Sequence, residues 1–240
     1  MTHPLTAGLV LRLPDVASTM DEARGAMADP RLVGVRADRQ TQGRGRRGSP
    51  WLDWPGRRLL VTYILRGPDC APDVRHRLAL MAGLAAAEAC EASCGVTCGL
   101  KWPNDLLLGS RKVGGLLLES PAGDAALLGV GINVCGGGMA GLPVAGALLA
   151  EADEDACDRL EEALRERIDA WRALPAQGQW DRLVAAWRLR DRTAGTRYRA
   201  QTDKGTVCGV AAGISDEGLL LLRLPDGRLV ETAAATSAME

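Results

Sequence analysis

Gly43-Arg44-Gly45-Arg46-Arg47-Gly48, followed by Ser49-Pro50-Trp51, is the stretch on which the fold turns. Its Gly-x-Gly-x-x-Gly spacing spells the dinucleotide fingerprint. A doubly wound parallel sheet would follow if a helix opened directly out of the loop. Ser49-Pro50-Trp51 and then Trp54-Pro55-Gly56 prevent that regular helix. The chain also lacks Gly-x-x-x-x-Gly-Lys-Ser/Thr, which excludes a P-loop. What is left is a loop that exposes backbone N–H groups and carries three guanidinium charges that cannot be titrated off. Such a loop is suited to holding phosphate or carboxylate. The plainer alternative is a solvated basic turn.

The body around the loop is ordinary. The chain has 240 residues, 47% hydrophobic and 25% charged, enough for one large domain or a domain plus a small module with a substantial core. A formal net charge of −1 counts against general nucleic-acid binding and makes the arginine loop a local positive site. No apolar run approaches the roughly 20 residues of a membrane span. The N-terminus shows no basic segment followed by an apolar stretch, so the expected location is the cytoplasm. Seven cysteines in that setting are expected as free thiols. Cys90, Cys94 and Cys98 recur every four residues, but Gly95 ends the helix before Cys98. No Cys-x-x-Cys pair exists, and the two histidines are His3 and His76. The reading is small buried thiols and no metal site.

Outward from the loop, Leu32-Val33-Gly34-Val35 reads as the strand leading in and Leu59 to Leu65 as a second strand. Ser18 is a helix cap for residues 19–28, with Asp21 and Glu22 in the first turn. Residues 74–93 place Val74, Leu78, Met81, Leu84 and Ala85 on one helical face. Strands follow at about 96–101, 105–108, 112–118 and 126–134, with Gly109-Ser110 as a hairpin turn and Gly136-Gly137-Gly138 as a flexible loop. Residues 154–173 and 178–189 are amphipathic helices. After about 192, short β-like segments (196–200, 206–214, 218–223, 228–231) alternate with turns at Asp203-Lys204-Gly205, Asp216-Glu217-Gly218 and Pro225-Asp226-Gly227. The expected architecture is therefore α+β: a mixed-sheet domain over residues 1–191 and a small β-barrel over 192–240.

Three further clusters carry chemistry. Lys101-Trp102-Pro103-Asn104-Asp105 ends one strand and starts another, and by itself reads as a turn as readily as a site. Lys112 precedes Gly114-Gly115, a glycine pair that lets a ligand approach a strand closely; a lone strand lysine is otherwise a solvated edge residue. Gly129-Val130-Gly131-Ile132-Asn133-Val134 is a glycine-bearing buried strand, with close packing as its plain reading.

In order and spacing, these clusters resemble the bacterial biotin protein ligases, in the short form without an N-terminal DNA-binding domain. Ser18-Thr19 before a helix and the β-rich C-terminus fit too, so the resemblance spans nearly the whole chain. It implies a biotin/lipoate-ligase-type catalytic domain with an SH3-like C-terminal barrel. The implied enzyme activates biotin with MgATP to biotinyl-5′-AMP, then transfers biotin to a lysine of a biotin carboxyl carrier domain. It further implies catalytic roles for Arg44, Arg46, Lys112 and Asp105, with Asp105 orienting or deprotonating the incoming lysine amine. Ser18, Thr19, Met20, Gln40, Arg44, Gly45, Arg46, Lys112 and Gly115 would bind biotin. Arg46, Arg47, Trp51, Lys101, Asn104, Lys112 and Asn133 would bind the nucleotide, with Trp51 covering the adenine. Bringing a carboxylate to the α-phosphorus needs two anions held together, which suits this set. Arg47 stays open between ligand, loop and acceptor. Mg2+ is implied as the ion of ATP.

Two departures stand out. Met20 occupies a position where the family often has Asn, so any contact there is apolar or through the backbone. Arg57-Arg58 replaces an uncharged pair. Ser18 lies too near the start to leave space for a helix-turn-helix, so the expectation is an enzyme without DNA binding, monomeric or a homodimer. Two other readings remain: a lipoate ligase or octanoyl transferase of the same architecture, and a nucleotide-responsive or acceptor-binding module without turnover. Against the transferase, no cysteine has a nearby histidine to activate it.

Overall fold

The computed structural model describes residues 2–52, 56–71, 75–121, 124–136, 145–151, 153–202 and 205–237. Expectations resting on Trp54-Pro55, Val74, Gly137-Gly138 and Asp203-Lys204 lie outside the described residues.

The larger sheet has seven strands in the order β1-β2-β3-β7-β6-β5-β4. These are β1 (Leu9–Val16), β2 (Leu32–Gln40), β3 (Arg57–Arg66), β4 (Gly99–Lys101), β5 (Asp105–Leu108), β6 (Arg111–Glu119) and β7 (Ala125–Cys135). β1 pairs parallel with β2, and every other neighbour is antiparallel, so the sheet is mixed. The dinucleotide topology is excluded: the arginine loop leaves β2 as one short 3-10 turn over Arg46–Gly48 and returns to extended backbone.

β1 has no counterpart in the sequence reading. It carries Pro14, and it lies at the sheet's edge, where a residue without an N–H is tolerated. The pairing runs past it, from Leu13 opposite Ala37 to Asp15 opposite Arg39.

Two helices cover one face of this sheet. α2 (Arg75–Cys94) was expected to be amphipathic. Instead Leu78, Leu80, Met81, Ala82, Leu84, Ala85, Ala86, Ala87, Ala89 and Cys90 are all buried. The cause is a second layer: α3 (Ala156–Ala176) packs on α2 and buries Leu160, Leu164 and Ile168, and the alanines permit close approach. Each buried leucine contributes about 1.5–3 kcal/mol relative to exposure. α1 (Thr19–Ala26) lies on the other face, where Met20 and Ala23 pack with Val35, Ile64 and Leu127. That face is otherwise thinly covered, which leaves room for a cavity.

α4 (Trp180–Arg190) leads to a five-stranded antiparallel sheet ordered β11-β10-β9-β8-β12. Its strands are β8 (Arg197–Thr202), β9 (Gly205–Ile214), β10 (Leu220–Arg223), β11 (Leu229–Thr232) and β12 (Ala235–Ser237). Among the described residues, β11 and β12 stand at opposite edges and no pairing joins them. Tyr198, Ala200, Ile214, Leu220 and Leu222 of this sheet belong to the same buried cluster as α2 and α3. All seven cysteines are free. Cys90 and Cys98 are both buried, and their mutual hydrogen bond raises the Cys90 thiol. Among the described residues, no helix is long and apolar enough to cross a membrane.

Candidate functional site

Sheet register assembles the site. Lys101 of β4 pairs with Asp105 of β5, Asp105 with Gly115 of β6, and Gly115 with Gly131 of β7, so four strands place these residues in one row. Thr62 of β3 pairs with Gly129 of β7 in the adjacent row. Gly115, Gly129 and Gly131 leave the sheet bare here. A Cβ at Gly131 would come within 2.8 Å of the Trp51 indole, and one at Gly129 within 2.9 Å of the Met20 methyl.

A cavity of about 290 Å³ lies over this floor. It is lined by Ser18, Thr19, Met20, Gln40, Arg44, Gly45, Arg46, Trp51, Asn104, Asp105, Lys112 and Gly115, all expected from sequence, and also by Thr62, Gly129 and Gly131. A second cavity, about 460 Å³, shares Arg46, Asn104 and Asp105 with it and adds Arg47, Lys101, Tyr198 and Thr236. Asn133 lines neither. Its side-chain amide donates to the Gly146 carbonyl at 2.9 Å, and its own carbonyl accepts from Leu148 N. A local packing role thus accounts for it.

One side of the first cavity is neutral and rich in hydrogen bonds. Ser18 caps α1, its hydroxyl accepting from Met20 N at 3.3 Å. Gln40 Oε1 accepts from both Thr19 N (2.7 Å) and Thr19 Oγ1 (2.9 Å), and Thr19 Oγ1 lies 2.9 Å from Thr62 Oγ1. Met20 turns into the apolar cluster beneath α1, in keeping with its thioether.

The other side is cationic. Three like charges among glycines predict an open loop, yet here it is folded down. Arg44 reaches α1 and donates to both oxygens of Asp21, at 2.7 and 2.8 Å. That hydrogen-bonded contact holds the Asp21 carboxyl below its usual range. Trp51 N donates to Gly43 O at 2.8 Å and Gly45 N to Ser49 O at 2.6 Å, closing the loop on itself. Arg47 sits at φ 56°, in the left-handed region, and its side chain is exposed. Arg46 is half-buried and meets no carboxylate among the described residues. Burial, then the charge of Arg47, lowers its pKa, so an anion placed beside it would relieve both. Lys112 Nζ is 2.6 Å from Asp105 Oδ1.

The turn that carries Lys101, Asn104 and Asp105 is gripped from behind. Trp102 N donates to Thr193 Oγ1 at 2.8 Å, and Tyr198 OH donates to Trp102 O at 2.9 Å. Asn104 closes it on the sheet by donating to Leu116 O at 2.8 Å. Burial raises the Tyr198 hydroxyl pKa, which keeps it a donor. Thr62 was the residue the sequence reading passed over; a lone hydroxyl within Leu59-Leu60-Val61-Thr62-Tyr63-Ile64-Leu65 was its one signal.

Residues 19–134 match the Biotin/lipoate A/B protein ligase family. The chain is 35% identical to the biotin–[acetyl-CoA-carboxylase] ligase of Paracoccus denitrificans, over 83% of this chain and 88% of that protein. It is 31% identical to the bifunctional ligase/repressor BirA of Bacillus spizizenii, over 89% of this chain and 69% of that protein. Among solved structures, the biotin protein ligase from Aquifex aeolicus in complex with biotin and ATP superposes with a TM-score of 0.75 at 24% identity, covering 95% of this chain and 99% of that one. This last likeness is one of fold.

Proposed function

The chain belongs to the biotin protein ligases, and on that premise we propose how its own residues divide the work. The reaction activates biotin with ATP to biotinyl-5′-AMP, releasing pyrophosphate, and then transfers biotin to a lysine of a biotin carboxyl carrier domain. The observation that carries the assignment is a cavity with a neutral hydrogen-bonding side and a cationic side, joined by a glycine floor.

The ureido ring of biotin lies against Ser18, Thr19 and Gln40, where neutral donors and acceptors match it. The thioether-bearing ring rests near Met20, and the acyl chain crosses Gly45 and Gly115. Its carboxylate meets Lys112, and an oxygen attacks the α-phosphorus as pyrophosphate leaves. Arg46 neutralises charge on the phosphoryl group, with Lys101 and Arg47 beside the departing phosphates. Arg44, held by Asp21, latches the loop over the carboxylate. Trp51 supplies an aromatic face for adenine, with Asn104 at the border of the two cavities and Asn133 supporting the segment behind them. When Lys112 turns to the new anion it leaves Asp105, whose freed carboxylate accepts a proton from the acceptor amine as nitrogen attacks the acyl carbon and AMP departs.

Mg2+ belongs to this scheme as the ion carried in on ATP. Among the described residues, Asp105 is the one carboxylate lining the first cavity and is paired with Lys112, so these residues do not form a metal site. The proposed division into a catalytic unit, 1–191, and an SH3-like barrel, 192–240, is supported by the change from helices to short antiparallel strands. A ligase role without DNA binding is supported by the net charge of −1.

The test is pyrophosphate release from ATP with biotin or lipoate, followed by transfer to a carrier domain. Biotin-dependent release and biotinylation of one lysine are expected. Strict dependence on lipoate would overturn the assignment, and binding without release would make the chain a sensing module.

A further inference from the structure

At the surface, Arg24, Arg31, Arg77, Arg188 and Arg228 each hold a carboxylate. Arg197, Arg199 and Arg223 are exposed too, but no ion pair joins them to a carboxylate among the described residues. Sheet register gathers these three. Residues opposite each other on antiparallel strands project from the same side. Val210 of β9 lies opposite Arg197 of β8 on one flank and Arg223 of β10 on the other, and Arg223 lies opposite Leu229 of β11. The next row on that side is Cys208, Arg199 and Thr236. It is the outer side, because Tyr198, Ala200, Ile214, Leu220 and Leu222 point into the buried cluster. Val210 is 38% exposed and Leu229 52%, so apolar surface lies among the guanidinium groups. Glu231, opposite Leu221 on the edge strand β11, is a carboxylate on the same side.

The second row runs into the site. Thr236 lines the second cavity together with Arg46, Lys101 and Asp105. A body lying on the outer face therefore meets the mouth of that cavity at the β12 edge. We propose that this face, with Arg197, Arg199 and Arg223 around Val210, is the docking surface for an acidic face of the acceptor carrier domain. The proposal rests on the biotin ligase reading, in which a folded partner must hold one lysine at Asp105. A surface continuous with that cavity grips the partner while its lysine reaches in. The guanidinium groups match carboxylates in a planar, two-bonded geometry, and the exposed valine and leucine supply apolar contact. Charges at such a rim act mainly on encounter and on the choice of partner. None of the three arginines lines either cavity, so formation of the adenylate does not depend on them.

The experiment follows both half-reactions of the full chain. Arg197→Glu combined with Arg223→Glu should raise KM for the carrier domain about 10-fold, while pyrophosphate release with biotin and ATP alone stays within about twofold of wild type. The difference should shrink as salt rises toward about 1 M, where the Debye length falls to about 3 Å. Cys208 gives an independent readout, because it is exposed and the other six cysteines are buried or half-buried. A carrier domain whose target lysine is replaced by arginine, added above its KM, should slow alkylation of Cys208 by a maleimide. An unchanged KM for the carrier, or a Cys208 that reacts at the same rate with the carrier present, would overturn the proposal while the ligase reading stands. A wild-type dimer that the charge reversals dissociate, with KM for the carrier unchanged, would make the face an interface between copies instead. A wild-type chain that releases no pyrophosphate with biotin would overturn both readings.

Discussion

The three arginines of the loop carry the same charge in three different surroundings. Arg44 is spent on Asp21, Arg47 is turned out at a positive φ, and Arg46 alone is half-buried without a carboxylate partner among the described residues. Arg46→Ala should therefore speed the escape of biotinyl-AMP by removing a charge-assisted contact of about 1.5–3 kcal/mol. Rapid dilution and chase of the preformed intermediate measures this, and wild-type retention would remove Arg46 from its assigned place. The sequence made these arginines conspicuous, because glycine and arginine interleaved is a local signal. It did not say which of them was already neutralised, since Asp21 comes from another element. Thr62 was harder still: its contact with Thr19, and that of Thr19 with Gln40, exist only because the fold brings α1 and β2 to β3.

At the level of elements, the C-terminal sheet reaches back into the turn that carries Lys101, Asn104 and Asp105. Both backbone groups of Trp102 end on side chains from beyond residue 192, Thr193 and Tyr198. Arg192 N also donates to Leu100 O at 2.7 Å. Thr193→Val strands a buried N–H, at a cost of about 1–3 kcal/mol. Urea unfolding should register that loss, and single-turnover transfer to the acceptor should slow as Asp105 loses its fixed place. A fully folded variant with unaltered transfer would show the grip to be structural only. The helices and most strands were legible from periodicity and turn residues, and Gly109 forms the expected hairpin between β5 and β6. β1 and β12 were not. One is an edge strand whose proline is harmless only because of where it lies, and the other is Ala-Thr-Ser, three small residues without a strand signature.

Over the whole molecule, one buried cluster runs beneath both sheets, and charged side chains tie its periphery to α3. Arg172 is almost wholly buried. It donates to both oxygens of Asp69, at 2.7 and 2.9 Å, and to the carbonyls of His3 and Arg66. Asp169 accepts from Leu5 N at 2.7 Å, so α3 holds the N-terminal segment at two points. Arg172→Leu leaves Asp69 without its partner and should destabilise the fold by about 3–5 kcal/mol. The double variant Arg172→Leu with Asp69→Leu should recover part of that, because the larger penalty is the stranded charge. Denaturant midpoints that fall equally in single and double variants would contradict this account.

Arg46 borders both cavities, and this has a thermodynamic consequence. Any ligand that draws the guanidinium to one side alters what the other side offers. Because coupling between sites is reciprocal, the factor by which the first substrate changes the affinity of the second must equal the factor in the opposite direction. On the proposed assignment, one side chain would make the two substrates each other's effectors.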